Sequence, residues 1–126
     1  MSGITYDAGA LIAAERGSTE LWALHRRMLD RGVRPTVPSL ALAQAWRSGR
    51  QARLARLLRG CEVAAFAERE ARAAGEALAA SGTDDVVDAG VVVSAVARAD
   101  AIATSDPDDI TRIAMALGRR PPIHVV

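Results

Sequence analysis

The stretch from Thr83 to Ile110, TDDVVDAGVVVSAVARADAIATSDPDDI, restricts the fold more than any other. It holds seven of the fifteen acidic residues: Asp84, Asp85, Asp88, Asp100, Asp106, Asp108 and Asp109. Between the acid clusters runs Val91-Val92-Val93-Ser94-Ala95-Val96-Ala97, and a helix apolar nearly all round is one buried on most sides. The stretch reads as helix, short turn, strand and the start of a further helix. Two groups of carboxylates therefore flank a buried scaffold. Carboxylates gathered at the edge of a core repel one another unless a cation stands among them. A hard divalent ion with oxygen ligands, such as Mg²⁺, is the usual solution.

The remainder of the chain supplies strands and helices around that scaffold. Gly3 to Tyr6 reads as a short strand ended by Asp7, and Ala8 to Glu15 turns helical. Arg16-Gly17 stops that helix, and Ser18 or Thr19 can cap a second one running from Glu20 to Asp30. Its Leu21, Trp22, Leu24, Met28 and Leu29 fall at helical spacing. Val33 to Val37 is a strand, and Pro38 suits the first turn of a third helix from Ser39 to Arg47. Cys61 to Phe66 and Ala101 to Thr104 are strands, separated by the Ala-rich helix 67–80 and the apolar helix after Asp85. Pro107 opens the next helix, Arg119 to Pro122 is a rigid linker, and Ile123 to Val126 is a closing strand. Five short apolar strands alternating with helices predict one α/β domain over residues 1–126. Its sheet is mostly parallel, with helices on both faces in a three-layer sandwich.

Composition removes several chemistries. All sixteen basic residues are Arg, so no mechanism can use a catalytic lysine. The single Cys61 allows no internal disulfide and no multi-cysteine zinc site. His25 and His124 are far apart and do not form a zinc-binding spacing. No basic segment leads into an apolar leader, and no apolar run reaches membrane-spanning length, so a soluble cytoplasmic protein is expected and no membrane partner. From Arg47 to Arg59 the chain carries Arg47, Arg50, Arg53, Arg56 and Arg59 with no acid. A solvated helix face accounts for them. A phosphate-contacting surface is the functional alternative, because guanidinium matches phosphate oxygens well.

Each acid also has a structural explanation. Asp7 can cap the first helix. Asp84 or Asp85 can cap the helix that follows, leaving Asp88 in its first turn, where the helix dipole welcomes an anion. Asp106 before Pro107, with Asp109 three residues on, resembles a cap followed by an acidic N3 residue. Yet Asp7 and Asp106 both end strands, where open parallel sheets bind ligands. If the two strands are neighbours, Asp7, Asp88 and Asp106 converge at one edge. Gln44, the polar residue in the apolar middle of the third helix, is either a satisfied amide or a group aimed into the same site.

These segments together resemble a family. Ile4-Thr5-Tyr6-Asp7-Ala8-Gly9-Ala10, Val37-Pro38, Leu42-Ala43-Gln44-Ala45-Trp46, Asp85-Val86-Val87-Asp88-Ala89 and Ala103-Thr104-Ser105-Asp106-Pro107-Asp108-Asp109-Ile110 look like the PIN-domain ribonucleases. They look specifically like the VapC-type toxins of bacterial toxin–antitoxin pairs. The resemblance covers essentially the whole chain and implies Mg²⁺- or Mn²⁺-dependent hydrolysis of RNA, often tRNA. It implies metal ligation by Asp7, Asp88 and Asp106, with Asp109 as an added acid and the hydroxyls of Thr104 and Ser105 orienting the carboxylates. The family's second acid falls on Gln44, a departure that removes one negative charge and implies weaker metal affinity. Arg47, Arg50 and Arg53 are the expected RNA contacts. An antitoxin and a homodimeric partner are implied at the first two helices, where Leu21 and Trp22 look exposed. The competing reading is a PIN-like protein without full catalysis that acts by binding RNA or antitoxin. A phospho-receiver domain is disfavoured by the absence of lysine. A haloacid-dehalogenase-type phosphatase is disfavoured by Asp7-Ala8-Gly9 in place of Asp-x-Asp.

Overall fold

A computed structural model describes residues 3–126. Its frame is a five-stranded, wholly parallel sheet of β1 (Ile4–Tyr6), β2 (Thr36–Pro38), β3 (Glu62–Ala64), β4 (Ala101–Thr104) and β5 (Ile123–Val125), in the order β3-β2-β1-β4-β5. β1 and β4 are immediate neighbours, with Tyr6 opposite Ala103. The strand order turns back between these two. In an open parallel sheet a crevice opens beyond the carboxyl ends of the strands at such a reversal.

The connections are helical: α1 (Ala8–Glu15), α2 (Thr19–Asp30), α3 (Ser39–Ala45), α4 (Ala52–Arg59), α5 (Glu68–Ser81), α6 (Val86–Arg98) and α7 (Pro107–Ala116). Helix α1 packs with α2 and α4, while α5, α6 and α7 pack together. Right-handed crossovers put these two groups on opposite faces of the sheet. Helix α3 bridges them, touching both α1 and α6. The apolar run of α6 crosses β1, β2 and β4, which is why Val91, Val92 and Ala95 are fully buried. Close approach is built into the same helix: a Cβ at Gly90 would stand 2.5 Å from Leu40 Cδ1.

Several sequence-based boundaries shift. The strand expected at Val33–Val37 forms at Thr36–Pro38, because Pro38 completes the register with Ala64 before α3 starts. The third helix stops at Ala45 instead of Arg47, since Trp46 is already extended (ψ 131). The strand expected from Cys61 to Phe66 is only Glu62–Ala64, on the sheet's outer edge. Leu21, expected on the surface, is fully buried, and Trp22 is half-buried. The Trp22 indole N–H donates to the Ala14 carbonyl at 3.0 Å, and Arg56 stacks 4.6 Å above the ring. Leu21 therefore belongs to the core, while Trp22 lines an open groove on α2 with His25, Leu29 and Arg56. Cys61 is buried. Its thiol donates to the Leu57 carbonyl at 3.3 Å, and burial pushes it up to about 12. No helix among the described residues is long and apolar enough to cross a membrane.

Candidate functional site

Asp7 leaves β1 at the strand's carboxyl end and becomes the N-cap of α1. Its backbone N–H donates to the Ala103 carbonyl of β4 at 3.1 Å, and its Oδ1 accepts from Ala10 N–H at 2.7 Å. The helix cap allowed by the sequence is thus realised. One carboxylate oxygen caps the helix, while the side chain sits at the sheet's crevice, only 4% exposed. Burial raises its pKa, partly opposed by the Thr104 hydroxyl and the Ala10 and Gly9 amides, and the Asp106 charge raises it further.

Asp106 lies just beyond β4. It holds the N-cap position of α7, but its side chain makes no cap hydrogen bond. The cap-with-acidic-N3 pattern is therefore not realised. Pro107 has no N–H, and the first turn of α7 does not engage the carboxylate, which remains exposed. The Asp106 backbone N–H instead donates to Thr104 Oγ1 at 3.0 Å. That leaves the Thr104 proton for Asp7. One buried hydroxyl thus links the two strand-end aspartates.

Asp88 arrives from the opposite helical layer. Helix α6 runs back toward the start of β4, so its first turn stands at the carboxyl rim of the sheet. Asp85, not Asp84, caps it: Oδ1 accepts from Val87 N–H and Asp88 N–H, both at 3.0 Å. Asp88 is consequently free of capping duty and half-buried. Desolvation and then the charges of Asp85, Asp7, Asp109 and Asp106 push it up to about 6. The one ion pair among the described residues is Arg72–Glu68, remote in sequence from all of these acids. The rim is thus a set of carboxylates in each other's field with no paired cation.

The side chains do not form a closed coordination sphere. Among the described residues, no group of three or more His, Cys, Asp or Glu stands close enough to hold a metal ion as placed. Gln44 lies exposed in the last turn of α3, the helix between α1 and α6. Among the described residues no hydrogen bond ties it to the acids. Asp109 is exposed in the first turn of α7, and Ser105 is exposed beside Gly9. A Cβ at Gly9 would overlap the Ser105 hydroxyl, so glycine is what admits Ser105 to the rim. Sequence reading passed over Gly9. The available signal was a glycine inside the first turn of a helix, a position where it is intrinsically unfavourable.

The arginines divide. Arg47 and Arg50 lie in the exposed connection between α3 and α4, and the Arg47 guanidinium donates to the Ala43 and Trp46 carbonyls at 3.3 and 2.8 Å. Arg53 is on α4 and donates to the Glu15 carbonyl at 3.3 Å, at the far end of α1 from Asp7. Two of the arginines offered as a phosphate-contacting surface are thus partly spent on tying helix ends.

The chain superposes on a chain of the VapBC2 complex of Rickettsia felis, solved bound to a DNA fragment from its promoter, with a TM-score of 0.72 over 98% of both chains at 15% identity. The chain has the PIN-like fold. PAE2754 from Pyrobaculum aerophilum is a further match, with a TM-score of 0.61 over 91% of this chain and 86% of that one at 16% identity. No protein-family description and no curated sequence matches the chain. The likeness is therefore one of PIN-like architecture, and the chemistry has to be argued from the rim itself.

Proposed function

We propose that this PIN-like domain is a divalent-metal-dependent endoribonuclease, the toxin of a pair whose second member is an antitoxin protein. One observation carries the reading. Asp7, Asp88 and Asp106 come from three separated segments to a single rim at the strand-order reversal, where the Asp106 charge raises the pKa of Asp7 and the charges of Asp7 and Asp106 raise that of Asp88, with no paired base among the described residues. Carboxylates so placed are the donor set of a hard cation. Mg²⁺ or Mn²⁺ fits that chemistry, with Asp7, Asp88 and Asp106 as ligands and Asp109 as an added acid. The side chains would have to turn inward to share the ion. When bound, the metal would supply an activated water and neutralise charge on the scissile phosphate.

The chain's own residues do the positioning. Thr104 holds the Asp7 carboxylate and the Asp106 backbone in fixed relation. Asp85 takes the helix cap and so frees Asp88. Gly9 lets Ser105 reach the rim. The chain presents no lysine, and its one thiol is buried and hard to ionise, so hydrolysis without a covalent intermediate suits it. The antitoxin partner is supported by likeness to a protein solved as a VapBC complex. A tRNA substrate and a homodimer remain part of the proposal by resemblance to the family.

A second reading has one specific support. Gln44 puts a neutral amide where the family carries an acid, which favours a protein that binds RNA or antitoxin with little catalysis. Incubating the purified protein with tRNA and other structured RNA in Mn²⁺ decides between the two. The nuclease reading expects cleavage that stops in EDTA, returns with Mn²⁺, and is absent from Asp106→Asn. RNA left intact by a folded wild-type protein at millimolar Mn²⁺ selects the binding reading.

A further inference from the structure

A groove of ≈ 530 Å³ opens directly from the acid rim and follows α1 along its length. Gly9 and Ser105 line it at the rim, Ile12 and Ala13 form its floor, Arg16 stands at its far end, and Val126 contributes a wall. The rise of a helix separates Gly9 from Arg16 by roughly 10 Å. The far end is basic. Arg16 is exposed. The Arg53 guanidinium donates to the Glu15 carbonyl and lies 3.6 Å from where a Cβ of Gly17 would stand. Gly17 has φ +79, so glycine is needed there for its backbone as well as for the closeness of Arg53. Beyond Arg16 the groove meets Glu20, whose carboxylate accepts from the Ser18 and Thr19 hydroxyls at 3.3 and 3.2 Å.

We infer that this groove holds the RNA strand on one side of the cleaved bond, as a single strand, with Arg16 as the phosphate contact that fixes its path. The inference rests on the nuclease reading for the identity of the rim. The groove is continuous with that rim, so a strand whose phosphate sits at the acids has this one lined channel to follow along α1. Its small and aliphatic side chains suit a sugar or base edge, and its lining cation, Arg16, lies a short stretch of strand away from the acids. Its ≈ 530 Å³ is room for a short piece of single strand. Glu20 repels further phosphates and limits the length of strand engaged. Arg53 acts through position: by binding the end of α1 it holds the backbone that carries Arg16. Phosphate contact therefore falls on Arg16 more than on Arg47, Arg50 or Arg53.

The test measures binding apart from cleavage. In full-length protein carrying Asp7→Asn, with EDTA present, a short labelled single-stranded oligoribonucleotide is titrated at several salt concentrations. Adding Arg16→Ala is expected to weaken binding roughly 2–5-fold. It should also reduce the slope of log affinity against log salt by about 0.7, one phosphate contact on a single strand. Arg16→Lys should restore the slope, Ala13→Trp should weaken binding by filling the floor, and Arg120→Ala, far along the surface, should change neither quantity. An unchanged slope in Arg16→Ala overturns the inference. So does equal, Arg16-dependent binding of a fully paired duplex, or no binding of the single strand at all. Failure of the nuclease reading looks different: the wild-type protein binds the strand in an Arg16-dependent way and leaves it uncut in Mn²⁺.

Discussion

Asp7 and Asp100 occupy opposite ends of the β1–β4 pair, and both are almost wholly buried, at 4% and 7% exposure. Burial is the largest influence on each and raises both pKa values. Their surroundings differ in sign. The Thr5 hydroxyl donates to Asp100 at 2.9 Å, and the nearby Arg98 charge favours its ionised form. Gly3 leaves it room, since a Cβ there would stand 2.6 Å from Oδ1. Asp7 also receives a hydroxyl, from Thr104, but the charge nearest to it is another carboxylate, Asp106. At one pole the chain answers a buried acid with a hydroxyl and a cation. At the other it adds more acids. A buried charge left without a counter-charge has to be explained by something the chain does not itself contain.

Exchanging the perturbation between the poles gives the largest expected effect. Asp7→Asn keeps an oxygen for the Ala10 cap and removes the charge. Loss of an outer-shell partner of a metal site costs 10–100-fold, so with Asp7 as the direct ligand proposed above its loss should reduce Mn²⁺-dependent RNA cleavage by on the order of 100-fold or more. Its thermal midpoint should not fall. Asp100→Ala should do the reverse. It strands a buried Thr5 hydroxyl, costing about 1–3 kcal/mol in urea unfolding, while cleavage per folded molecule stays at the wild-type level. Equal losses of activity in the two variants would erase the distinction between the poles.

The pH dependence of stability sharpens the same contrast. Asp88 is raised to about 6 in the folded state, so between about 4 and 6 the native protein holds a proton that the unfolded chain has released. Stability of the metal-free protein should therefore be greatest below this window and fall as pH rises through it, flattening above pH 6. Asp88→Asn should remove that part of the fall and raise the thermal midpoint at neutral pH. Thermal unfolding in EDTA across the window checks it, and a wild-type profile that rises with pH there would contradict it.

The smallest expected effect concerns the missing acid. Gln44→Glu on the exposed last turn of α3, the helix between α1 and α6, adds a carboxylate and should tighten Mn²⁺ binding several-fold by calorimetry, an energy of order 1 kcal/mol. Unchanged affinity would place the Gln44 side chain outside the rim's reach and favour the binding reading.

Much of this was legible in the residues because it is local. Period and punctuation marked five strands and the helices between them. The uniform apolarity of 91–97 declared a helix buried on most sides, and it lies across three strands. The strand-ending positions of Asp7 and Asp106 placed them where parallel sheets bind ligands. Other features were decided between segments remote in sequence. Leu21 and Trp22 looked alike because nothing in the sequence says that the first is buried while the second is tied to α1 and stacked under Arg56. Whether Asp106 caps α7 depended on Thr104 taking its backbone N–H, and whether Asp88 was free depended on Asp85 winning the cap. The sequence by itself determined the number and kind of elements and the excess of carboxylates, since these follow from composition and local geometry. Only the tertiary structure decided that β4 lies against β1, and with that choice came which carboxylates feel each other's charge. Electrostatic repulsion depends on distance in space, and the chain order alone does not contain it.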